Sequence, residues 1–194
     1  MAIHGWYFAW WLLDVLVLSI FIAVFEIFFE KDNGWASGLS QHGLGKRLWQ
    51  GTTFVRLFEK PYITVYHLTM FGAIVPLILV GQYWIVRVFL VSHAFAMHDI
   101  GILTIWQVGS VRFMPLFSII AAWLAISTIE DFMWFALNWY YPTSLQDLFS
   151  GRIWWHTRWI ALGKIKVPRF YISTLVIAAV FLYASTHIAR IAGA

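Results

Sequence analysis

Four apolar runs constrain the fold of this chain more than any other feature of its sequence. Each run is long enough to cross a hydrocarbon core as a helix, which takes about 20 residues. In chain order they span residues 7–29, 62–91, 114–140 and 168–191. The composition agrees, because 61% of the residues are hydrophobic and only 11% are charged. These properties exclude a soluble globular domain and predict a single transmembrane domain over residues 1–194.

The segment 93–113 is also apolar, but it carries several polar side chains and leaves a choice between four and five spans. The basic residues favour four. Five Lys or Arg residues lie in each of the loops 30–60 and 142–169, and four spans place both loops on one side. Since Lys and Arg concentrate in cytoplasmic loops, that side is the cytoplasm.

We therefore predict an all-α bundle of four transmembrane helices in the inner (cytoplasmic) membrane, with both termini on the non-cytoplasmic side. The segment near 93–113 would be an interfacial or re-entrant piece on the outer side. The net charge of +4 does not indicate nucleic-acid binding, because the basic residues flank the predicted spans.

The third run contains the most informative polar residues. On a helix, these residues fall within one arc of about 100°: Ser127, Glu130, Asp131, Trp134 and Asn138. A charge at the bilayer centre costs about 2.5–3.5 kcal/mol on insertion scales. We therefore expect this face to point into the bundle and to find partners there.

Two other runs bring matching groups to the same end of the bundle. Glu26 and Glu30 lie at the end of the first run, and His67 lies at the start of the second. Carboxylates and imidazoles bind divalent metals and transfer protons. We predict Glu130, Asp131 and His67 as catalytic residues, with Trp134, Asn138 and Ser127 binding the substrate. The predicted metal ligands are Glu26, Glu130, His67 and His156.

A purely structural interpretation remains open at the same residues. Glu130 could bond to Thr64 or to a loop arginine, and Asp131 could pair with Arg158 or Arg169. Glu30 is expected to be a solvated residue at a helix end. A b-type haem is the alternative cofactor to a divalent metal, and two axial ligands for it could come from His67, His93, His98 or His187.

The residues around the acidic pair resemble a pattern found in small, functionally uncharacterised polytopic membrane proteins of prokaryotes. The pattern runs E-D-x-x-W-F-x-x-N-P, then I-x-W-H-x-x-W, then P-x-x-Y, and it covers about residues 129–173. This chain departs from it at Trp139, where the pattern has Pro. The resemblance implies that Glu130, Asp131, Trp134, Asn138, His156 and Trp159 form one unit, but it assigns no reaction. If the basic loop folds back on the third span, His156 meets the acidic pair.

Three functions are compatible with these residues. The first is an intramembrane carboxylate and histidine site, dependent on a metal or a proton, that binds or acts on a lipidic or small apolar molecule. The second is a non-catalytic accessory subunit of a larger membrane complex, and the third is a haem or quinone electron-transfer subunit. The lipid bilayer is the expected partner, together with further copies of this chain or larger subunits.

Overall fold

Helices make up most of the structure, a computed structural model that describes residues 2–35, 39, 43–50, 52, 59–86, 106–108 and 111–191. The helices are α1 (Ala2–Glu30), α2 (Val65–Thr69), α3 (Val75–Val86), α4 (Pro115–Leu137), α5 (Ser144–Ser150) and α6 (Arg169–Ile191). Among the described residues, four segments are long and apolar enough to cross a membrane: Tyr7–Glu30, Val65–Tyr83, Pro115–Leu137 and Arg169–Ile188. The predicted number of such helices is confirmed on that criterion of length and composition.

In the described part of the chain, three short antiparallel strand pairs lie between the helices. Their strands are β1 (Arg47–Leu48) with β2 (Ile63–Thr64), β3 (Trp106–Val108) with β4 (Val111–Phe113), and β5 (Trp159–Leu162) with β6 (Ile165–Pro168). The β3–β4 hairpin forms the described end of the segment near 93–113. The rest of that segment lies outside the described residues, so its interfacial or re-entrant placement stays a prediction.

The second candidate span is irregular near its middle. A π-helical turn, Met70–Ile74, joins α2 to α3, and the Val75 N–H donates to the carbonyl of Met70. Pro76 follows directly and has no N–H to offer the carbonyl of Gly72. A wider turn ahead of the proline is a common way for a helix to absorb that missing bond.

Helix α4 is the central element, since it packs along both α1 and α6 and also contacts α3. Its buried face carries Ala121, Ala122 and Ala125, and small side chains let neighbouring helices approach closely. Large aliphatic residues fill the rest of this core: Val15, Ile22, Val75, Leu79, Ile119 and Ile126.

A second, aromatic core lies where α4 ends. The chain from Asn138 to Pro168 folds back over that end of α4. Trp155 stacks on Phe135, with ring centroids 5.6 Å apart, and meets Trp134 edge to face at 5.8 Å. Leu148 and Ile153 complete the packing. This loop therefore covers the part of α4 that carries the acidic pair.

Candidate functional site

The up-and-down course of the chain brings four helix ends together. These are the C-terminal ends of α1 and α4 and the N-terminal ends of α2 and α6. A cavity of about 300 Å³ lies between them, at the lower limit of small-molecule sites. Its charged or titratable lining residues are Glu26, Glu30, Lys60, His67, Glu130 and Asp131, and apolar residues that line it include Leu68, Phe71, Trp123, Leu124, Phe170 and Ile177.

Asp131 has partners on both carboxylate oxygens. Oδ1 lies 3.5 Å from Lys60 Nζ, and Oδ2 accepts a hydrogen bond from the Tyr171 hydroxyl. His156 Nε2 lies 3.1 Å from Oδ2, close enough for an ion pair although its direction is poor for a hydrogen bond. Lys60 Nζ is also 3.4 Å from His156 Nδ1, so the three charged or titratable groups form a closed triangle.

The position of Lys60 depends on the residue before it. Glu59 has a φ of +56°, a left-handed conformation that costs a non-glycine residue about 1 kcal/mol or more. Arg169 holds the Glu59 carboxylate, and Thr157 Oγ1 donates to the Glu59 carbonyl at 2.7 Å. The Lys60 side chain, only 4% exposed, is thereby directed at Asp131. Burial lowers the pKa of Lys60, and the Asp131 carboxylate opposes that shift.

His156 is a buried imidazole held by the returning loop, with 4% of its surface exposed. Burial lowers its pKa, the Lys60 ammonium lowers it further, and Asp131 acts in the opposite direction. A neutral ring fits its surroundings, because Nδ1 faces the ammonium donor and Nε2 faces the carboxylate. The network thus assigns the remaining proton to Nε2.

Glu130 has different neighbours from Asp131, although the two are adjacent in sequence. Its carboxyl group adjoins that of Glu26, which also lies beside the Tyr66 hydroxyl. Glu130 is 4% exposed, and its Oε1 atom has no hydrogen-bond partner among the described residues. Lys60 therefore compensates Asp131, whereas Glu130, which also lines the cavity, keeps one carboxyl oxygen without a hydrogen bond among the described residues.

Glu30 lies in the same region, and its predicted solvation was wrong. It is only 1% exposed, because the chain turns at Lys31 (φ +55°) and continues along the cavity. The cavity lining includes both Glu30 and Trp35. The end of α1 is therefore part of the site.

Two indole groups complete the polar lining. Trp134 and Trp155 are 3% and 4% exposed, and both line the cavity. Within the described part of the chain, neither Nε1 has an acceptor. A buried donor without an acceptor costs about 1–3 kcal/mol, and such groups are uncommon in folded proteins.

Most of the residues predicted for catalysis and substrate binding come together. Glu130, Asp131, His67, Ser127 and Trp134 all line the cavity, while their functional roles stay predictions.

Asn138 does not line the cavity. Its amide donates to the carbonyl of Lys31 at 2.6 Å and thus ties the end of α4 to the turn after α1. His156 contacts Asp131 rather than the cavity. This contact was expected if the basic loop folds back on the third span.

The predicted structural pairings were wrong in their partners. Arg158 and Arg169 pair with Glu59 instead of Asp131. Thr64 Oγ1 is hydrogen-bonded to His67 Nδ1 at 2.6 Å instead of to Glu130. Lys60, a loop residue that sequence reasoning left out, takes the place expected for Arg158 or Arg169 beside Asp131.

Three of the four predicted metal ligands line the same cavity, and a metal bound there stays a prediction. Among the described residues, no group of three or more His, Asp or Glu side chains could hold a metal ion. Glu26 and Glu130 share the cavity with His67, whereas His156 lies beyond Asp131. Of the candidate haem ligands, His93 and His98 lie outside the described residues, whereas His67 lines the cavity and His187 lies on α6.

Sequence reasoning missed Lys60, Tyr171 and Trp155 as members of the site. Lys60 was counted only as a loop charge, although it directly precedes Pro61 at the start of a span. Tyr171 is the last residue of the P-x-x-Y pattern, and Trp155 precedes His156 in W-H-x-x-W. The pattern thus contained signals for two of the three.

No known protein family matches this chain, and no curated protein or solved structure is significantly similar to it.

Proposed function

We propose that this chain is a multi-pass integral membrane protein that binds an amphipathic molecule of the lipid class in the cavity between its helices. The polar group of that molecule lies among the buried acids, and its apolar chain lies between the second, third and fourth spans.

The single observation behind this proposal is a set of buried polar atoms that have no partners among the described residues and belong to side chains that line the cavity. They are Glu130 Oε1, Trp134 Nε1 and Trp155 Nε1. Leaving all three desolvated and unsatisfied would cost several kcal/mol. A bound polar group that accepts from the indoles and donates to the carboxyl offsets that cost.

The division of the cavity supports an amphipathic ligand. Its apolar wall comes from three of the candidate spans, through residues such as Phe71, Leu124 and Ile177. Leu68 and Ile177 line the cavity and are also 43% and 47% exposed. The apolar part therefore reaches the outer surface of the bundle, from which an acyl chain can enter without crossing water.

The two acids suggest different roles. Asp131 is held by Lys60, Tyr171 and His156, so we assign it to positioning. Glu130 lines the cavity, and its Oε1 has no hydrogen-bond partner among the described residues, so we assign it to exchanging a proton or a hydrogen bond with the bound molecule. General acid–base chemistry requires a group within hydrogen-bond reach of the ligand, and Glu130 is the carboxyl group that we assign to that position.

The membrane and its sidedness are part of the proposal. The basic loops favour the cytoplasmic membrane with both termini outside and the cavity near the cytoplasmic face. Fusing a reporter to the C-terminus tests the orientation: alkaline phosphatase should be active there and green fluorescent protein dark. The reverse result would invert the topology.

Identifying the small molecules that co-purify with the protein tests the binding function. We expect mass spectrometry of gently solubilised protein to find one enriched amphipathic species near one molecule per chain. Trp134→Phe keeps an aromatic side chain but removes the indole N–H donor. This variant should lose much of the co-purifying species while remaining folded. Trp139→Phe is the matched control, because Trp139 is 50% exposed and lies outside the cavity.

Two outcomes would contradict the proposal. Equal retention by both Trp variants and the wild-type protein would remove the cavity as the binding site. Purification only with larger subunits, with Glu130→Gln disturbing assembly alone, would favour an accessory subunit.

A further inference from the structure

We infer that the polar group bound in this cavity is a positively charged ammonium that adjoins a hydrogen-bond-accepting oxygen, as in an amino alcohol or an ethanolamine headgroup. The inference rests on the proposed function and names the class of its ligand.

The charge of the lining is the first argument. Four carboxyl side chains line the cavity, and Lys60 is the only Lys or Arg among the described lining residues. Lys60 is engaged with Asp131 at 3.5 Å. Glu26 and Glu130 adjoin each other, so their site favours a cation and disfavours a phosphate or carboxylate arriving without one.

The aromatic lining is the second argument. Trp35, Trp134, Trp155 and Phe170 all line the cavity, and ring faces attract cations. The protein itself demonstrates this preference. Lys60 Nζ lies 4.3 Å from the ring centroid of Trp35 and 5.0 Å from that of Phe170. A ligand ammonium would meet the same combination of acid and indole that already accommodates a buried lysine.

The two indole donors are the third argument, and they specify the second half of the group. An ammonium donates to Glu130 Oε1 but cannot accept from Trp134 Nε1 or Trp155 Nε1. An oxygen next to the ammonium supplies that acceptor. A hydroxyl and a phosphodiester oxygen are equivalent in this respect, so the ligand can be a free long-chain amino alcohol or a membrane lipid.

Three probes of one chain length test the charge preference: hexadecylamine, hexadecanol and hexadecanoic acid. Their equilibrium binding to the full-length protein is measured in detergent micelles. We expect the amine to bind at least about tenfold more tightly than the alcohol, with the acid weakest. Glu130→Gln should reduce the advantage of the amine to less than about threefold and leave the alcohol unchanged. Asp32→Asn is the matched control, since Asp32 is an exposed acid in the turn after α1.

Equal or tighter binding of the alcohol or the acid to wild-type protein would overturn the ammonium inference while leaving an amphipathic ligand in place. Failure of all three probes, together with lipid-free native protein, would overturn the proposed function as well. If Glu130→Gln does not fold, the discrimination among probes by wild-type protein decides the question alone.

Nanodiscs distinguish the two sources of the ligand. Hexadecylamine binding is compared in phosphatidylglycerol with and without phosphatidylethanolamine. Competition by phosphatidylethanolamine identifies a lipid headgroup as the ligand. Amine binding that is unaffected identifies a free amine, and either result supports the ammonium class.

Discussion

Replacing Lys60 with Met should destabilise the protein by about 3 kcal/mol. The Lys60 and Asp131 side chains are 4% and 12% exposed, and Nζ lies 3.5 Å from Oδ1. At an effective dielectric constant of about 20, two unit charges at that distance attract by about 5 kcal/mol. Desolvation of both groups offsets part of this, and removing one partner of a buried pair typically costs about 3–5 kcal/mol. The lower figure applies because Asp131 keeps Tyr171 and His156.

A double-mutant cycle isolates the pair from the packing of the lysine chain. The variants are Lys60→Met, Asp131→Asn and their combination, and each is unfolded with SDS in mixed micelles. Since the double variant leaves no buried charge stranded, we expect it to cost about 1.5–3 kcal/mol less than the sum of the single variants. If the substitutions act only by changing side-chain volume, the free-energy change of the double variant would equal the sum of the two single changes.

The reasoning would be refuted by a coupling energy below about 0.5 kcal/mol, the usual limit of additivity for independent sites. It would also be refuted if Lys60→Met were more stable than the wild type. Arg158→Met is a suitable control, because the Arg158 side chain is 57% exposed and its contact with Glu59 spans 3.9 Å. A long contact made by an exposed arginine contributes little.

Three further predictions concern the surroundings of the site. Since burial lowers the pKa of His156, the unfolded chain binds more protons than the folded chain below pH 7. The free energy of unfolding should therefore fall as the pH drops towards 5, by at most about 1.4 kcal/mol per pH unit. His156→Gln should flatten this pH dependence in the same SDS titration. Gly34→Ala should cost about 1–2 kcal/mol, because Gly34 has a φ of +59° and a Cβ there would meet the ring of Trp155; a neutral variant would contradict that packing. Asn138→Leu should cost about 1–2 kcal/mol by freeing the carbonyl of Lys31, and an unchanged unfolding midpoint would assign that bond no role.

The candidate spans could be located from the sequence because their signal is local. A run of apolar residues predicts a helix wherever it occurs, and the run 114–140 corresponds to the span Pro115–Leu137. Helical periodicity also placed Glu130 and Trp134 on the buried face of α4. The π-helical turn ahead of Pro76 was beyond such reasoning, since a proline in a span predicts a bend without specifying how the hydrogen bonds rearrange.

The partner of Asp131 could not be predicted, because it depends on contacts between distant parts of the chain. A lysine in a polar loop ordinarily extends into water, as its four-carbon stem and high charge favour. Lys60 is buried because Glu59 adopts a left-handed conformation, and Glu59 is held by Arg169, more than 100 residues away. Arg169 was instead a predicted partner of Asp131 itself, which would have left Lys60 in solution.

The adjacency of Glu130 and Asp131 follows from the geometry of the helix that carries them. Consecutive residues on a helix point about 100° apart, so neighbouring acids can face two different elements at the same depth. Asp131 faces the returning loop and α6, through His156 and Tyr171. Glu130 faces α1, where Glu26 lies. The ammonium of Lys60 compensates the first acid, while Oε1 of the second has no hydrogen-bond partner in the described part of the chain. If the two acids were far apart on the helix, charged groups would be buried at two different depths of the apolar bundle. Because they are adjacent, the polar lining stays at one end. That confinement leaves the remainder of the cavity apolar, which is the condition for binding a molecule with one polar end.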